Sequence, residues 1–358
     1  MSGSPTRGER EGGTISQQRL RTQRLAGTGF ATPADVVSWF GAVQAQEYAG
    51  ALWALGLRTT GATEAAVEQA LVERSIVRTW PLRGTLHFAA AADVRWMIEV
   101  FGAQTIARSA RRFRQFGLDQ GIFKRCTAVT IKALEGGRQL SRPRLYALFE
   151  KAGVATGEMR GLHLVWKLAH DGLICFGARE GKQQTFALLE EWVPRAKTLI
   201  RDEALAELAR RYFTSHGPAT LRDFTWWSGL AVADARRAVE AAGVGAPHLT
   251  PRTAAPRTTA PRTPPRPHVV LLPPYDEYTV AYLDRSAALD PRHAAASRNG
   301  ICPTLVIDGR IAGTWGRRLT RDGVVVTIAP FARLSAAAAR AVAAASARYA
   351  RFLGRTLG

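Results

Sequence analysis

A proline-arginine repeat at residues 251–267 restricts how this chain can fold more than any other feature. It reads PRTAAPRTTAPRTPPRP, with six prolines and four arginines in a loose five-residue period. Proline has no backbone N–H to donate, and the remaining residues offer no apolar face to a core. We therefore predict an extended basic linker between a helical region and a region of strands.

Before this linker, a pattern of three helices followed by a hairpin recurs. Apolar residues at helical spacing, N-capping residues and glycine or proline turns define its elements. The predicted helices are 14–27, 33–46 and 63–74, then 119–136, 142–152 and 160–171, then 201–215, 220–228 and 231–242. The predicted strands are 85–88, 173–176 and 185–188. This outline is that of a winged-helix unit, so we predict three such units in tandem.

After the linker, the pattern changes to short strands. The predicted strands are 269–272, 304–307, 311–315 and 324–328, and an alanine-rich helix follows at 334–353. Asp308-Gly309 is typical of a tight hairpin turn. The predicted fold class is therefore α+β and mainly α, with three tandem winged-helix units, a small C-terminal β-barrel and a terminal helix.

This reading divides the chain into six segments. They are a disordered tail at 1–13, a first winged-helix unit with a basic helix (92–116) at 14–118, a second unit at 119–195, a third at 196–250, the linker at 251–267, and the barrel with its helix at 268–358.

The charge balance of the chain indicates a polyanionic partner. Lys and Arg total 49 against 29 for Asp and Glu, which gives a formal net charge of +20. The richness in Arg and Ala is typical of a GC-rich genome, but that bias exchanges Lys for Arg and creates no excess of cations. Nucleic acid is therefore the first candidate for a partner.

The cysteines and the hydropathy pattern restrict the compartment. Cys126, Cys175 and Cys302 are far apart, which predicts a reducing compartment and neither a disulfide framework nor a zinc ribbon. No apolar run reaches the roughly 18–20 residues of a membrane helix, and the N-terminus lacks the apolar core of a signal peptide. We expect a cytoplasmic, nucleoid-associated protein that uses no metal or cofactor.

The common enzyme signatures are missing, so the case for an enzyme depends on three less familiar stretches. Walker A, GxGxxG, GxSxG and zinc-deaminase patterns do not occur. The first stretch is Gln44-Ala45-Gln46. Two glutamines near a helix end are ordinarily solvated surface, and residues two apart do not share a helix face. For both amides to reach one substrate, the helix must end or loosen near Gln46.

The second and third stretches combine polar and aromatic residues. Trp80, Arg83, Thr85 and His87 flank a Gly turn at the base of a predicted strand, where an ordinary wing with a packed Trp is the simpler interpretation. Asp276-Glu277-Tyr278 places acidic residues inside a basic protein, either as ion-pair partners of arginines or as site residues.

Taken in order, these stretches resemble the winged-helix DNA glycosylases of the AlkZ type. That bacterial family includes self-resistance enzymes against DNA-alkylating antibiotics and relatives that unhook interstrand crosslinks. Its pattern of Gln, an apolar residue, then Gln or Asp matches Gln44-Ala45-Gln46. RGTLH at 83–87, DEY at 276–278 and VIDGRIAGTW at 306–315 also match, and the resemblance covers roughly residues 14–354.

The resemblance implies three winged-helix units and a barrel around a DNA-binding concavity, with Gln44 and Gln46 as the catalytic pair. The expected DNA contacts are Arg83, Thr85, His87, Arg108, Arg111, Arg112 and Arg114. Residues expected to support the site are Trp80, Asp276, Glu277 and Tyr278. The expected partner is double-stranded DNA carrying alkylated bases, and the resemblance and the chain length favour a monomer.

Glutamine cannot act as a general base, but it can donate and accept hydrogen bonds. An N7-alkylated purine is already cationic and leaves without being protonated, so two neutral amides suit such a substrate, including bulky adducts and crosslinks. Two alternatives remain open at this point. One is a non-catalytic winged-helix protein such as a transcription regulator, and the other is an RNA-binding or architectural protein.

Overall fold

The computed structural model describes residues 7–245 and 267–358, with side chains from residue 15 onward. The predicted linker lies outside the described residues except for Pro267, and so do residues 1–6 of the predicted tail. Residues 7–13 of that tail are helical, because the first helix begins at Arg7 and ends at Thr22 instead of covering 14–27.

The chain is mixed α+β and about 48% helical. The helices are α1 Arg7–Thr22, α2 Pro33–Phe40, α3 Tyr48–Arg58, α4 Glu64–Val72, α5 Val94–Arg108, α6 Ala110–Gln115, α7 Gln120–Leu134, α8 Arg142–Lys151, α9 Arg160–His170, α10 Leu189–Trp192, α11 Arg201–His216, α12 Leu221–Ser228, α13 Val232–Ala241, α14 Glu277–Val280 and α15 Ala336–Phe352. The strands are β1 Ala42–Gln44, β2 Ile76–Leu82, β3 Thr85–Ala90, β4 Leu140–Ser141, β5 Ile174–Phe176, β6 Thr185–Leu188, β7 Val269–Leu272, β8 Thr304–Ile307, β9 Arg310–Leu319, β10 Gly323–Pro330 and β11 Thr356–Leu357.

The chain divides into two compact units that cut across the predicted boundaries. The first, unit A, draws on Met1–Phe40, Gln44–Glu68 and Ala206–Gly358. The second, unit B, draws on Gly41–Val43 and Gln69–Leu205. The predicted first segment, 14–118, therefore contributes to both units.

Two copies of one topology share a single six-stranded sheet. The order along the chain is helix, strand, two helices and two strands, first from α2 to β3 and then from α7 to β6. The sheet order is β1-β3-β2-β5-β6-β4, so each copy places its last strand between its first two. The copies meet where Arg78 on β2 pairs with Phe176 on β5. The two predicted hairpins therefore belong to one continuous sheet. Where they meet, each hairpin pairs with a strand edge of the other that would otherwise be unpaired.

The core of unit B lies beside this sheet. Trp80, Phe176 and Phe186 are buried, and the ring of Phe176 lies 5.0 Å from each of the other two. The turn between β2 and β3 is Arg83-Gly84, with φ values of +53° and +69°. Two successive left-handed residues match the twist of a tight hairpin, which explains the glycine.

Unit A contains a five-stranded sheet in the order β11-β10-β9-β8-β7, which is half of a barrel where the sequence predicts a small β-barrel. Asp308-Gly309 forms the predicted turn between β8 and β9, with φ values of +50° and +88°. Helix α15 covers the sheet, and its Tyr349 ring lies 5.0 Å from that of Trp315 on β9 and 4.9 Å from that of Trp53 on α3.

Two predicted helices are interrupted in the structure. The helix predicted at 33–46 ends at Phe40, where Gly41 takes a φ of +82° and the chain continues as β1. The basic helix predicted at 92–116 is two helices, α5 and α6, divided at Ser109. Across the described residues, no helix is both long and apolar enough to cross a membrane.

Candidate active site

Gln44 and Gln46 lie where strand β1 ends and the chain bends toward α3. Gln44 is the last residue of β1 and is buried, at 9% exposure, whereas Gln46 is exposed. The break in helical structure that the sequence requires for this pair is present, but it falls at Gly41, earlier than expected. Gln44 and Gln46 are not in a helix. In a helix, side chains two residues apart point in different directions, but this restriction does not apply to an extended backbone.

Gln44 is held by two hydrogen bonds, one from its backbone and one to its side chain. Its backbone N donates to Glu277 Oε1 at 2.7 Å. Its amide oxygen accepts from the backbone N of Ala45 at 3.1 Å. A carbonyl oxygen carries two lone pairs, so this contact leaves one for a further partner.

The carboxylate of Glu277 is the centre of a buried polar cluster. Glu277 is the first residue of α14 and is 1% exposed. Its Oε2 accepts a hydrogen bond from Trp227 Nε1 at 3.0 Å and lies 3.4 Å from His216 Nε2. Burial lowers the pKa of His216, although its contact with Glu277 opposes that shift, so the ring is neutral at pH 7. On its far side, His216 Nδ1 lies 2.8 Å from Ser215 Oγ.

Asp276 has a different partner from its neighbour. Arg58 Nη1 and Nη2 each lie 2.8 Å from a separate oxygen of this carboxylate, and both side chains are buried. Arg58 also donates to the backbone of Ala54 and to Gln23, so its guanidinium is fixed on several sides. Asp276 in turn caps α14 by accepting from the backbone N of Tyr278. The ion pair is thus part of the frame that holds Glu277.

Tyr278 also stabilises the fold around Glu277. Its hydroxyl donates to the backbone oxygen of Gly309 at 2.6 Å, in the turn between β8 and β9, and lies 3.2 Å from that of Ser16. Burial raises the pKa of its phenol, so it stays neutral. Of the three DEY residues, Asp276 and Tyr278 anchor the segment and Glu277 is the one bonded to Gln44.

The residues of the second stretch lie in unit B. Trp80 is 6% exposed and packs in the core, as the simpler interpretation expects. His87 is fully buried on β3, with Nδ1 2.9 Å from the backbone oxygen of Thr85. A ring with no exposed surface cannot contact a phosphate, so the expected DNA contact by His87 is not supported. Arg83 and Thr85 are partly exposed at the hairpin turn.

The four arginines of the predicted basic helix are all exposed. Arg108 closes α5, and Arg111, Arg112 and Arg114 lie on α6. Phe113, between them, is buried in the core of unit B and fixes the orientation of this short helix. The group therefore presents positive charge to solvent from an anchored element.

Sequence reasoning missed three residues of the buried cluster. Arg58 ends the apolar helix α3, and a buried arginine in such a helix indicates an acidic partner. His216 and Trp227 gave no signal, because each lies in an ordinary amphipathic helix and meets Glu277 only through the fold. In the part of the chain that the structure describes, no group of three His, Cys, Asp or Glu side chains could hold a metal ion.

Known proteins match this chain over most of its length. The sequence model of the family described as DNA glycosylase AlkZ-like matches residues 37–352. An interstrand DNA cross-link repair glycosylase from Streptomyces sahachiroi is 25% identical, over 94% of this chain and 95% of that protein. The solved structure of the Streptomyces sahachiroi DNA glycosylase AlkZ matches with a TM-score of 0.73 at 22% identity, covering 97% of this chain and 98% of that one.

Proposed function

The chain belongs to the AlkZ-like DNA glycosylases, hydrolases that act on N-glycosyl bonds, and we propose that it releases cationic N7-alkylated purines from double-stranded DNA through Gln44 and Gln46. The observation that carries the proposal is the position of Gln44-Ala45-Gln46, where a non-helical backbone carries one buried, anchored amide and, two residues later, one exposed amide. Membership of an enzyme family argues against the alternatives of a regulator and of an architectural or RNA-binding protein.

The proposed reaction requires no acid group on the enzyme. Alkylation at N7 gives the purine a positive charge, so the electron pair of the breaking bond to C1′ neutralises the ring as it leaves. The developing cation on the sugar is stabilised by the amide oxygen of Gln44, which keeps one lone pair free of its contact with Ala45. Water, oriented by Gln46, adds its oxygen to C1′ and loses a proton to solvent. The products are the neutral alkylpurine and an abasic site.

We extend the proposal to the DNA-binding architecture. The two copies of helix, strand, two helices and two strands have the element order of winged-helix units, and the three helices α11 to α13 would form the third. In this proposal, Arg83 and Thr85 at a hairpin turn and the exposed arginines of α5 and α6 contact phosphates. Phosphate contacts of this kind position a duplex without reading its sequence.

Bulky lesions are included in the proposed substrate class. Gln46 is exposed, so its amide can approach a lesion that is not drawn into an enclosed pocket. The name of the Streptomyces sahachiroi relative assigns interstrand cross-link repair to that protein, which supports the same lesion class for this chain. We expect activity on both simple N7-methylguanine and N7-linked crosslinks.

The test is incubation of the protein with duplexes that carry one N7-methylguanine or one nitrogen-mustard crosslink. Free base measured by chromatography, together with abasic sites cleaved by alkali, is the expected result. The Gln44→Ala and Gln46→Ala variants should bind the same duplexes and release little base. Absence of release from both substrates by the folded wild type, or release of only small 3-methyladenine-type bases, would contradict the proposal.

A further inference from the structure

We infer that Glu277 is a positioning residue that fixes Gln44 for base release, an inference that rests on the proposed role of Gln44. The Oε1 atom of Glu277 accepts the backbone N–H of Gln44 at 2.7 Å, across 233 positions of sequence. This bond ties the last residue of β1 to the first turn of α14. The backbone position from which the Gln44 side chain extends is therefore fixed by α14, an element of unit A that is distant in sequence.

The bond is of the strong kind. Glu277 is 1% exposed and Gln44 is 9% exposed, so little water competes for either group. A carboxylate that accepts from a backbone N–H makes a bond about twice as strong as a neutral pair. Because catalytic amides act through their exact direction, a displacement of about 1 Å at Gln44 is enough to cost about 100-fold in rate.

The other oxygen of the carboxylate is fixed from two further helices. Trp227 on α12 donates its indole N–H to Oε2 at 3.0 Å. His216 on α11 has Nε2 3.4 Å from the same oxygen. A neutral His216 with its hydrogen on Nε2 donates to this oxygen, and its Nδ1 lies 2.8 Å from Ser215 Oγ and 3.3 Å from the backbone oxygen of Tyr212. The carboxylate therefore cannot rotate away from Gln44 without breaking contacts on its other side.

The adjacent carboxylate of Asp276 has a structural function that differs from the positioning role of Glu277. Asp276 forms a buried ion pair with Arg58, a contact whose removal affects folding. Burial of the Glu277 carboxylate also costs free energy. In contrast to Asp276, Glu277 accepts its hydrogen bond from the backbone of the proposed catalytic residue Gln44. Two neighbouring carboxylates thus have separable functions that variants can distinguish.

The experiment compares four variants of the full-length protein. Glu277→Ala removes the contact with Gln44, and Glu277→Gln retains an acceptor for it without the charge. Trp227→Phe keeps the carboxylate but removes the donor that fixes its other oxygen. Trp315→Phe is the matched control, because Trp315 is also buried in unit A and donates its indole N–H, at 2.7 Å, to the backbone oxygen of Leu272.

The readouts are the single-turnover rate of N7-methylguanine release, the dissociation constant for the uncleaved duplex, and the midpoint of thermal unfolding. We expect Glu277→Ala to lower the rate about 100-fold with an unchanged dissociation constant. Glu277→Gln should lower it about 10-fold, because a neutral acceptor restores part of the bond. Trp227→Phe should lower the rate measurably, and Trp315→Phe should not, although both lower the unfolding temperature.

Each outcome decides for or against the inference. Equal rates for Trp227→Phe and Trp315→Phe, together with a wild-type rate for Glu277→Gln, would overturn it and leave the proposed function intact. If Glu277→Ala does not fold, the other three variants give the decision. Loss of release in Gln44→Ala with full release in folded Glu277→Ala overturns the positioning role alone. No release by the wild-type protein refutes the proposed function instead.

Discussion

Arg58 and Asp276 form a buried bidentate ion pair within unit A, with both N–O distances at 2.8 Å. Both side chains are at most 1% exposed, so each charge depends on the other for stabilisation. Removal of one partner from such a pair leaves an uncompensated buried charge, which is far more costly than loss of an exposed pair. The pair supports the segment that carries Glu277, and its contribution is measurable.

The first prediction concerns this pair. Asp276→Asn should lower the free energy of unfolding by about 3–5 kcal/mol, because Arg58 keeps its charge without a counter-ion. Urea unfolding followed by circular dichroism measures the change. Glu180→Gln, which breaks the exposed pair of Glu180 with Arg144, should cost about 0–1 kcal/mol. Similar losses in the two variants would contradict the prediction.

The second prediction concerns the proposed role of Gln46 in orienting water. Gln46→Asp should keep much of the release activity, because a carboxylate also orients water and favours a cationic sugar. Gln46→Ala should lower the rate of release roughly 100-fold, since it removes the group without replacing it. Single-turnover release of N7-methylguanine measures both, with duplex affinity as the control for folding. An inactive Gln46→Asp that still binds DNA would argue against this role.

The segment around Gln44 shows which part of the local structure the sequence predicts correctly and which part it does not. Val36, Val37, Phe40 and Val43 have helical spacing, which predicts a helix that continues to residue 46. In the structure, Val43 is buried in strand β1. The spacing of apolar residues does not distinguish the end of a helix from a short buried strand, because both present the same apolar residues. Only the positive φ of Gly41 decides between them, and a backbone angle is not visible in spacing.

Local features were predictable and distant pairings were not. The Asp308-Gly309 turn follows from its two residues and is confirmed by their positive φ values. The pairing of Arg78 with Phe176 joins strands about 100 residues apart and leaves no local pattern. The same holds for Glu277, whose bond to Gln44 depends on the fold of unit A. The candidate site residues Gln44 and Gln46 therefore follow from the resemblance, whereas the contacts that hold Gln44 are visible only in the structure.

The third prediction follows from the buried histidine His170 on α9. Burial lowers its pKa from 6.5 to about 4. The unfolded chain thus binds a proton between pH 6.5 and pH 4 that the folded chain does not, so stability is full above pH 6.5 and falls as the pH drops through this window. The loss between pH 7.5 and pH 5 amounts to about 2 kcal/mol from this residue.

The variant His170→Phe tests this account. Phenylalanine keeps a ring beside Trp166, whose centroid lies 3.8 Å from that of His170, and cannot titrate. Stability at pH 7.5 should fall by about 1 kcal/mol through loss of the bond to the backbone of Trp166. The difference in unfolding free energy between pH 7.5 and pH 5 should shrink by about 2 kcal/mol. An unchanged pH dependence would show that other groups dominate.

The fourth prediction concerns the arginines of α6. If Arg111 and Arg112 each neutralise one phosphate, the double alanine variant should reduce the slope of log affinity against log salt by about 2. Fluorescence anisotropy on an undamaged duplex at several salt concentrations measures the slope. Arg138→Ala is the control, because Arg138 is exposed but already paired with Glu135. A slope that stays the same in the double variant would exclude these arginines from the DNA interface.

The fifth prediction concerns the charge of the lesion. In the proposed mechanism, Gln44 and Gln46 are neutral amides that cannot protonate a departing base, so the substrate itself supplies the positive charge. N7-methylguanine should therefore be released, whereas hypoxanthine and uracil, which are neutral and poor leaving groups without protonation, should be released more slowly by several orders of magnitude. Duplexes that differ only in this one base, compared under single-turnover conditions, measure the ratio. Release of hypoxanthine at a similar rate would require an acid that these two side chains do not provide.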